Sequence, residues 1–398
     1  MTDHSNLPPA PEGRIIGWAH SRFGKSEAPD VEALMAEVTG AALDHAAIPA
    51  DQVEGIFVGV FNGGFQKQGF EAALVALGAE GLAHTPAVRL ENACATGSAA
   101  ITAALDFIGS GRGRVALVIG AEKMTATPGT EIGDILLGAS YRAEEGDIPG
   151  GFAGVFGGIA NSYFQRYGDA SRELAMIAAK NHANGALNPY AHMQTDFGFD
   201  FCNTVSDRNP IAAGPLRRTD CSLVSDGAAA LVIAHPDIAT DAPRAIAFRA
   251  QRQANDYLPL SRRDPLEFAG ARRAWAQGLV QAGVSLDDLS LVETHDCFTV
   301  AELLEYEAMG LAERGQGGRV IAEGITARSG RLPVNPSGGL KSRGHPIGAT
   351  GVSQHVMAAM QLADEAGAMQ IPDALLAGVF NMGGAAVANY VSILERVK

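Results

Sequence analysis

Apolar positions along this chain alternate between two signatures. Short runs that are apolar throughout stand between longer stretches whose apolar residues recur three and four positions apart. RIIGWAHSR (14–22) reads as a strand, residues 29–46 as an amphipathic helix, and VEGIFVGV (53–60) as a second strand. CATGSAAITAALDFIGSG then reads as a helix ended by glycine, and RVALVIGAEK (114–123) as a strand buried on both faces. Residues 124–220 break the pattern: they are rich in Gly, aromatic residues, Asn and His, with one clear helix in ASRELAMIAAKNHANGALNP. SDGAAALVIA (225–234) resumes the strand style, so the middle reads as an insertion into a first α/β unit.

The second half repeats the first. RIIGWAHSR recurs in style as RAIAFRAQR (244–252). AALDHAAIPADQVEGIFVG lies against WAQGLVQAGVSLDDLSLVETH, with Ile48 matching Val284, Asp51 matching Asp287 and Val53 matching Leu289. CATGSAAITAALDFI has its counterpart in GHPIGATGVSQHVMAAMQL (344–362). ALLAGVFNMGGAAVANYVSIL (374–394) plays the part of RVALVIGAEK joined to SDGAAALVIA, without the insertion. A repeat of this length predicts an α/β fold of two similar halves about a pseudo-twofold axis. The expected units are 13–123 with 221–240, the inserted 124–220, and 241–398. Ligands of open α/β units sit beyond the C-terminal ends of strands. That rule gathers Cys94, the Gly344-His345-Pro346 turn, and His295 with Cys297 into one region.

Composition narrows the chemistry. The chain has 398 residues, enough for a duplicated core, and a formal net charge of −14, which argues against nonspecific nucleic-acid binding. Four cysteines without repeating spacing resemble neither a zinc site nor a disulfide framework, so no metal and a reducing compartment are expected. MTDHSNLPPAPEGR lacks the basic start and apolar core of a signal peptide, ERVK is not a peroxisomal tripeptide, and no apolar run reaches membrane-spanning length. A cytoplasmic protein is expected.

A lone cysteine beside alanine is ordinarily core. Around Cys94, however, Asn92 and the small residues Ala95, Thr96, Gly97 and Ser98 leave the thiol unshielded. A helix start there would lower the thiol pKa, and its N–H groups would suit an oxyanion. NPSGGLKSRGHPIGATG (335–351) places His345 between a Gly/Ser loop and a helix start, with Pro346 at the first helical position. His345 can serve as the base for a nucleophile. HDCF (295–298) offers a second thiol for proton traffic to carbon, and His295 as a donor to a carbonyl oxygen. In NMGGAA (381–386), Gly383 can present a backbone N–H to a bound carbonyl, although paired glycines at a strand end also serve close packing. Cys202 and Cys221 lack such surroundings and read as structural.

ENACATGSAA, HDCF, NPSGGLKSRGHPIGATG and NMGG, in this order on a duplicated chain, resemble the thiolase superfamily over nearly the whole length, and its sterol-carrier-protein-2-type branch in particular. The resemblance implies a layered αβαβα fold and an acyl-CoA C-acyltransferase, cleaving 3-oxoacyl-CoA with CoA or running the reverse condensation. It implies that Cys94 is acylated, His345 activates it, and Cys297 is the acid/base. His295 and His345 would form one oxyanion site, and the N–H groups of Cys94 and Gly383 the other. Coenzyme A and acyl-CoA would be substrates, with no permanently bound cofactor. Residues 124–220 would cover the pantetheine arm, with Arg142, Arg166, Lys180, Arg208, Arg217 and Arg218 open as contacts to the CoA phosphates. A homodimer or tetramer is implied. Two departures stand out. Classical thiolases carry an acid/base cysteine in a Cys-x-Gly motif where this chain has Asn381-Met382-Gly383, and Asn-Glu where it has His295-Asp296. The lipid-carrier domain of some relatives does not follow VSILERVK. A ketoacyl synthase-like, hydroxymethylglutaryl-CoA synthase-like or aldolase activity, or a non-catalytic scaffold subunit, is the alternative. The set Cys94, Cys297 and His345 speaks for a thiolase.

Overall fold

Ile15, Ile16 and Trp18 are buried in the first strand, β1 (Arg14–His20), which sits at the middle of the sheet and not at its edge. The computed structural model describes residues 7–398; the first six residues of the Pro-rich lead-in lie outside the described part. The first half continues with β2 (Gly55–Gly59), β3 (Ala87–Leu90) and β4 (Val115–Glu122). Residues 124–220 carry the helices Phe152–Tyr167 and Ser171–Gly185 and a hairpin of β5 (Ile211–Ala213) and β6 (Leu216–Arg217). Then follow β7 (Gly227–Ala234), β8 (Ile246–Asn255), β9 (Leu291–Glu293), β10 (Leu376–Gly383) and β11 (Ala388–Arg396).

The duplication is written in the strand order, β3-β2-β4-β7-β1-β8-β11-β10-β9. Read inward from each end, β2-β4-β7-β1 corresponds to β9-β10-β11-β8. Even β3 has a remnant counterpart, a lone parallel bridge between Val292 of β9 and Val334. The halves meet where β1 and β8 pair antiparallel through Arg14↔Ala247 and Ile15↔Ile246, which joins them into one nine-stranded sheet. An antiparallel meeting of equivalent strands is what a twofold axis between them produces.

Helices complete the layers. Val31–Ala46 covers the outer face of the first half, with Asp30 capping it by accepting from the Ala33 N–H. Ala269–Ala282 covers β8 and β11 of the second half. Thr96–Gly109 and Thr350–Leu362 lie together between the halves, and every residue of the latter is buried. Such a helix must be apolar or hydrogen-bonded all round; His355 accordingly bonds Ser392 Oγ at 2.8 Å. The two central helices touch backbone to backbone. A Cβ on Gly97 would stand 2.6 Å from the Val352 nitrogen, and one on Gly351 2.5 Å from the Ser98 nitrogen. This is the reason for the small residues after Cys94.

One local expectation is overturned. Pro346 is not the first residue of its helix, which begins at Thr350. Residues 346–350 form a separate turn in which the Pro346 carbonyl accepts from the N–H groups of Ala349 and Thr350. Gly348 drives the turn against the first half, its N–H donating to Glu122 at 3.0 Å and its Cα so close that a Cβ would meet the Ala121 carbonyl at 2.4 Å. Cys94 lies two residues before its helix and His345 five, so the two are offset and not strictly equivalent.

Candidate active site

Four loops converge beyond the strand ends, and the side chains singled out from the sequence meet there. Cys94 Sγ and ring nitrogens of His295 and His345 lie within 4.8 Å of one another. The two imidazoles stand nearly perpendicular, 5.1 Å between centroids. Cys94, Cys297 and His345 line one cavity of about 70 Å³ with Phe61, Phe298 and Ile347 from the two halves and Leu136, Ala139 and Phe152 from the insertion. Cys202 and Cys221 do not line it.

Backbone geometry presents the nucleophile. Ala93 takes a left-handed φ of 50°, rare for a residue with a Cβ, and its N–H is held by Glu91. The Asn92 N–H donates to Thr96 Oγ1 at 2.8 Å, which ties the loop to the helix it precedes. Strain of this kind, concentrated at one residue before a thiol, fits a site that the surrounding fold overdetermines.

Hydrogen bonding fixes the two histidines in opposite senses. The Asn381 amide nitrogen donates to the Cys94 carbonyl at 3.0 Å and also faces His295 Nδ1 at 2.9 Å, while its oxygen accepts from Ser98 Oγ. A carbonyl can only accept, so the amide orientation is set and His295 must carry its proton on Nε2. That Nε2–H is buried without a partner, ready to donate. His345 Nδ1 meets Thr350 Oγ1 at 2.6 Å, and the Thr350 hydroxyl donates to the Pro346 carbonyl. Its oxygen therefore accepts from His345 Nδ1–H, which leaves His345 Nε2 as a lone-pair base. One imidazole gives a proton to the site and the other takes one. With a single lone-pair nitrogen, the Cys–His–His trio is an acid–base set and a poor metal cage.

The electrostatics differ from the sequence expectation. Burial pushes the Cys94 thiol up to about 12, even though the N–H groups of Gly384 and of Cys94 itself point at the sulphur and pull it down. Desolvation outweighs the helix start, because the charged form loses its water whereas only two N–H groups replace it. Burial, helped by the nearby Arg343 guanidinium, lowers His345 to about 3. Burial also drives His295 well below its usual value and the Cys297 thiol well above its own. The resting pair is thus thiol and neutral imidazole. At neutral pH a thiol of pKa near 12 is ionised to about one part in 10⁵. In a His345→Gln variant, where no base assists, alkylation of Cys94 by iodoacetamide, followed by peptide mass spectrometry, is therefore expected to rise about tenfold per pH unit between about pH 6 and 10. A plateau below pH 8 would reveal a stored thiolate instead.

Two observations bear on roles. Gly383 ends β10 in register with Ala388, packed so that a Cβ would stand 2.5 Å from the Asn92 carbonyl. The cavity-lining glycine whose N–H is directed at the sulphur is the next one, Gly384. And of the six cations, four are already paired: Arg142 with Asp134, Arg166 with Asp264, Lys180 with Glu302 and Arg217 with Asp220. Among the described residues Arg208 and Arg218 have no such partner.

Several positioning residues were not found from sequence. Asp296 faces away from the cavity and accepts from the Leu340 N–H at 2.6 Å, the Lys341 N–H at 3.2 Å and Asn181 Nδ2 at 2.6 Å. It clamps the His295–Cys297 loop to the segment that leads to His345 and to the insertion's helix Ser171–Gly185. The Ser222 N–H donates to the Cys297 carbonyl at 2.9 Å. Asn381 and Asp296 carried a signal, since they stand where classical thiolases have a cysteine and a glutamate. Thr350 carried none, although its partner His345 is only five positions away.

Comparison with known proteins agrees with this site. Residues 14–197 match the model of the thiolase N-terminal domain, and residues 252–396 that of the thiolase C-terminal domain-like family. The chain is 33% identical to an acetyl-CoA acetyltransferase of Methanothermobacter thermautotrophicus over 96% of its own length and 99% of the relative's. It is 31% identical to sterol carrier protein 2 of Homo sapiens over 93% of this chain and 69% of that one. Its fold superposes on human mitochondrial 3-ketoacyl-CoA thiolase in complex with CoA with a TM-score of 0.75, at 17% identity over 98% of this chain and all 100% of the other. It superposes on the Ltp2-ChsH2(DUF35) aldolase at 0.81, with 20% identity over 98% and 99%. Two family models covering most of the sequence, and full-length relatives above 30% identity, agree with the duplicated fold and its cysteine-bearing cavity: the chain belongs to the thiolase family.

Proposed function

We propose that the protein is an acyl-CoA C-acyltransferase that works through an acyl-Cys94 intermediate. The observation that carries this reading is that Cys94, His345 and Cys297 line one cavity while His295 lies within 4.8 Å of the first two, with complementary tautomers on the two histidines. In thiolysis, Cys94 Sγ attacks the 3-oxo carbon while its proton passes to His345 Nε2. The oxygen that becomes negative is met by the N–H groups of Cys94 and of the Gly383–Gly384 pair. The C2–C3 bond then breaks and its electron pair moves into the thioester as an enolate. Its oxygen accepts from His295 Nε2–H and the newly protonated His345. Cys297 gives its proton to C2, releasing acetyl-CoA. The thiol of a second CoA loses its proton to the Cys297 thiolate and attacks the acyl group. Cys94 leaves and recovers its proton from His345. All four groups return to their starting states, and condensation is the same sequence reversed.

A cavity of about 70 Å³ holds a few waters and suits a short acyl unit. Incubation with acetyl-CoA is expected to add the mass of one acetyl group, at Cys94, and thiolysis across a ladder of 3-oxoacyl-CoA lengths to be fastest for the shortest. Binding of CoA esters with no acylation of Cys94 would overturn the reading and favour aldol cleavage, which needs no acyl-cysteine, or a scaffold role.

The units 13–123 with 221–240, 124–220 and 241–398 suit this chemistry, since each supplies lining residues. A homodimer is supported by the exposed sheet edge at β3, where Val88 is 47% exposed. A reducing, cytoplasmic setting is supported by four free cysteines, and no helix among the described residues is long and apolar enough to cross a membrane.

A further inference from the structure

The segment 219–223 has two sides, and thioester chemistry uses only one. Ser222 lines the Cys94 cavity, whereas Thr219 and Leu223 line a separate cleft of about 320 Å³ that shares no lining residue with it. The floor of this cleft holds Lys341, 2% exposed, and His182, 1% exposed. Phe197 and Phe201 form its wall, and the exposed Arg208 and Arg218 stand at its rim, with Asp207 the single carboxylate there.

Lys341 is the anomaly. Among the described residues its Nζ has no hydrogen-bond or ion-pair partner. The two carboxylates that act on it are committed elsewhere. Asp220 accepts from Arg217 Nε at 2.8 Å and Thr299 Oγ1 at 2.8 Å, and Asp296 accepts from Asn181 and two backbone N–H groups. His182 also has both ring nitrogens unpartnered, its ring edge-on to Phe197 at 4.8 Å. The side chain of Lys341 is buried while its Nζ opens onto the cleft without a counter-charge, and burial lowers its pKa. A bound anion offsets that effect.

The surroundings decide which anion. One ammonium beside a neutral imidazole balances one negative charge; a phosphate dianion would leave surplus charge buried. The aromatic wall asks for an apolar body. We propose that this cleft is a second ligand site for a small organic monocarboxylate with an aromatic or branched body, its carboxylate on Lys341 Nζ and its body against Phe197 and Phe201. Arg208, over the Phe201 ring at 5.4 Å, and Arg218 would draw the anion in. Lys341 lies in the short helix Gly339–Arg343, and the chain runs from there directly to His345, so occupancy bears on the segment that carries the base.

Calorimetric titration of the full-length protein with phenylacetate, and separately with isobutyrate, tests this. Saturable binding of at least one is expected, weakened tenfold or more by Lys341→Met and several-fold by Arg218→Gln, and unchanged by saturating CoA or inorganic phosphate. Retained acetylation of Cys94 would show that Lys341→Met is folded. Four results would each overturn the proposal: no saturable binding of either acid, equal binding by folded Lys341→Met, displacement by CoA, which would make the cleft part of the CoA path, or displacement by phosphate. If Lys341→Met does not fold, unchanged affinity in Arg218→Gln, whose altered side chain is exposed, overturns it.

Discussion

Replacing Cys297 with alanine is expected to leave acylation of Cys94 by acetyl-CoA intact while lowering thiolysis of a 3-oxoacyl-CoA by about 10²–10⁴-fold. The split follows from what each half-reaction moves. Acyl transfer to Cys94 shifts protons only between sulphur and nitrogen, and His345 Nε2 is placed for that. Cleaving the C2–C3 bond demands a proton for carbon, and Cys297 is the remaining acid in the cavity. Burial holds its thiol well above the ordinary value, so it is fully protonated at neutral pH and able to give. Once it has given, the thiolate is a strong base for the incoming CoA. Intact-mass measurement reads the first half and thioester absorbance the second. Full turnover in the variant would remove Cys297 from the mechanism, and loss of acylation as well would make its role structural.

Replacing His345 with glutamine is expected to slow acetylation of Cys94 at neutral pH by about 10⁴-fold or more. The size of the effect comes from the thiol. With a pKa near 12, only about one Cys94 in 10⁵ is ionised at pH 7, and the base must supply the rest. The slowed reaction should then climb about tenfold per pH unit, because free thiolate becomes the sole nucleophile. The native protein should be nearly flat from pH 5 to 9. His345 is lowered to about 3, so it is already a free base throughout that window. A fall of less than tenfold, or a flat profile in the variant, would assign the base to another group.

Much of the site was legible in the chain because its chemistry is local. Cys94 in ENACATGSAA, His345 in GHPIGATG, and His295 with Cys297 in HDCF each sit within a short run whose glycines and small residues have a visible steric purpose. The repeat was legible too, since equivalent strands carry equivalent patterns, and the two halves it predicted have the mirrored orders β2-β4-β7-β1 and β9-β10-β11-β8. Pro346 misled because a turn that seats Gly348 against Ala121 is decided by the opposite half of the molecule. Asn381 looked like a lost cysteine. In the fold it is the group that binds the Cys94 carbonyl, His295 and Ser98 at once.

By itself, then, the sequence determined a duplicated α/β chain and pointed to the cysteine and two histidines that lie together in the fold, since periodicity and short motifs are properties of neighbouring residues. Tertiary structure decided their protonation, the proton on His295 Nε2, and that the Gly384 N–H faces the Cys94 sulphur. It also decided that the Lys341 side chain ends on a cleft without an ion-pair partner among the described residues. Those outcomes depend on desolvation and on hydrogen-bond partners brought together from as far as 287 positions apart, as with Asn381 and Cys94. No local pattern encodes such sums where the contributing groups come from different strands and loops.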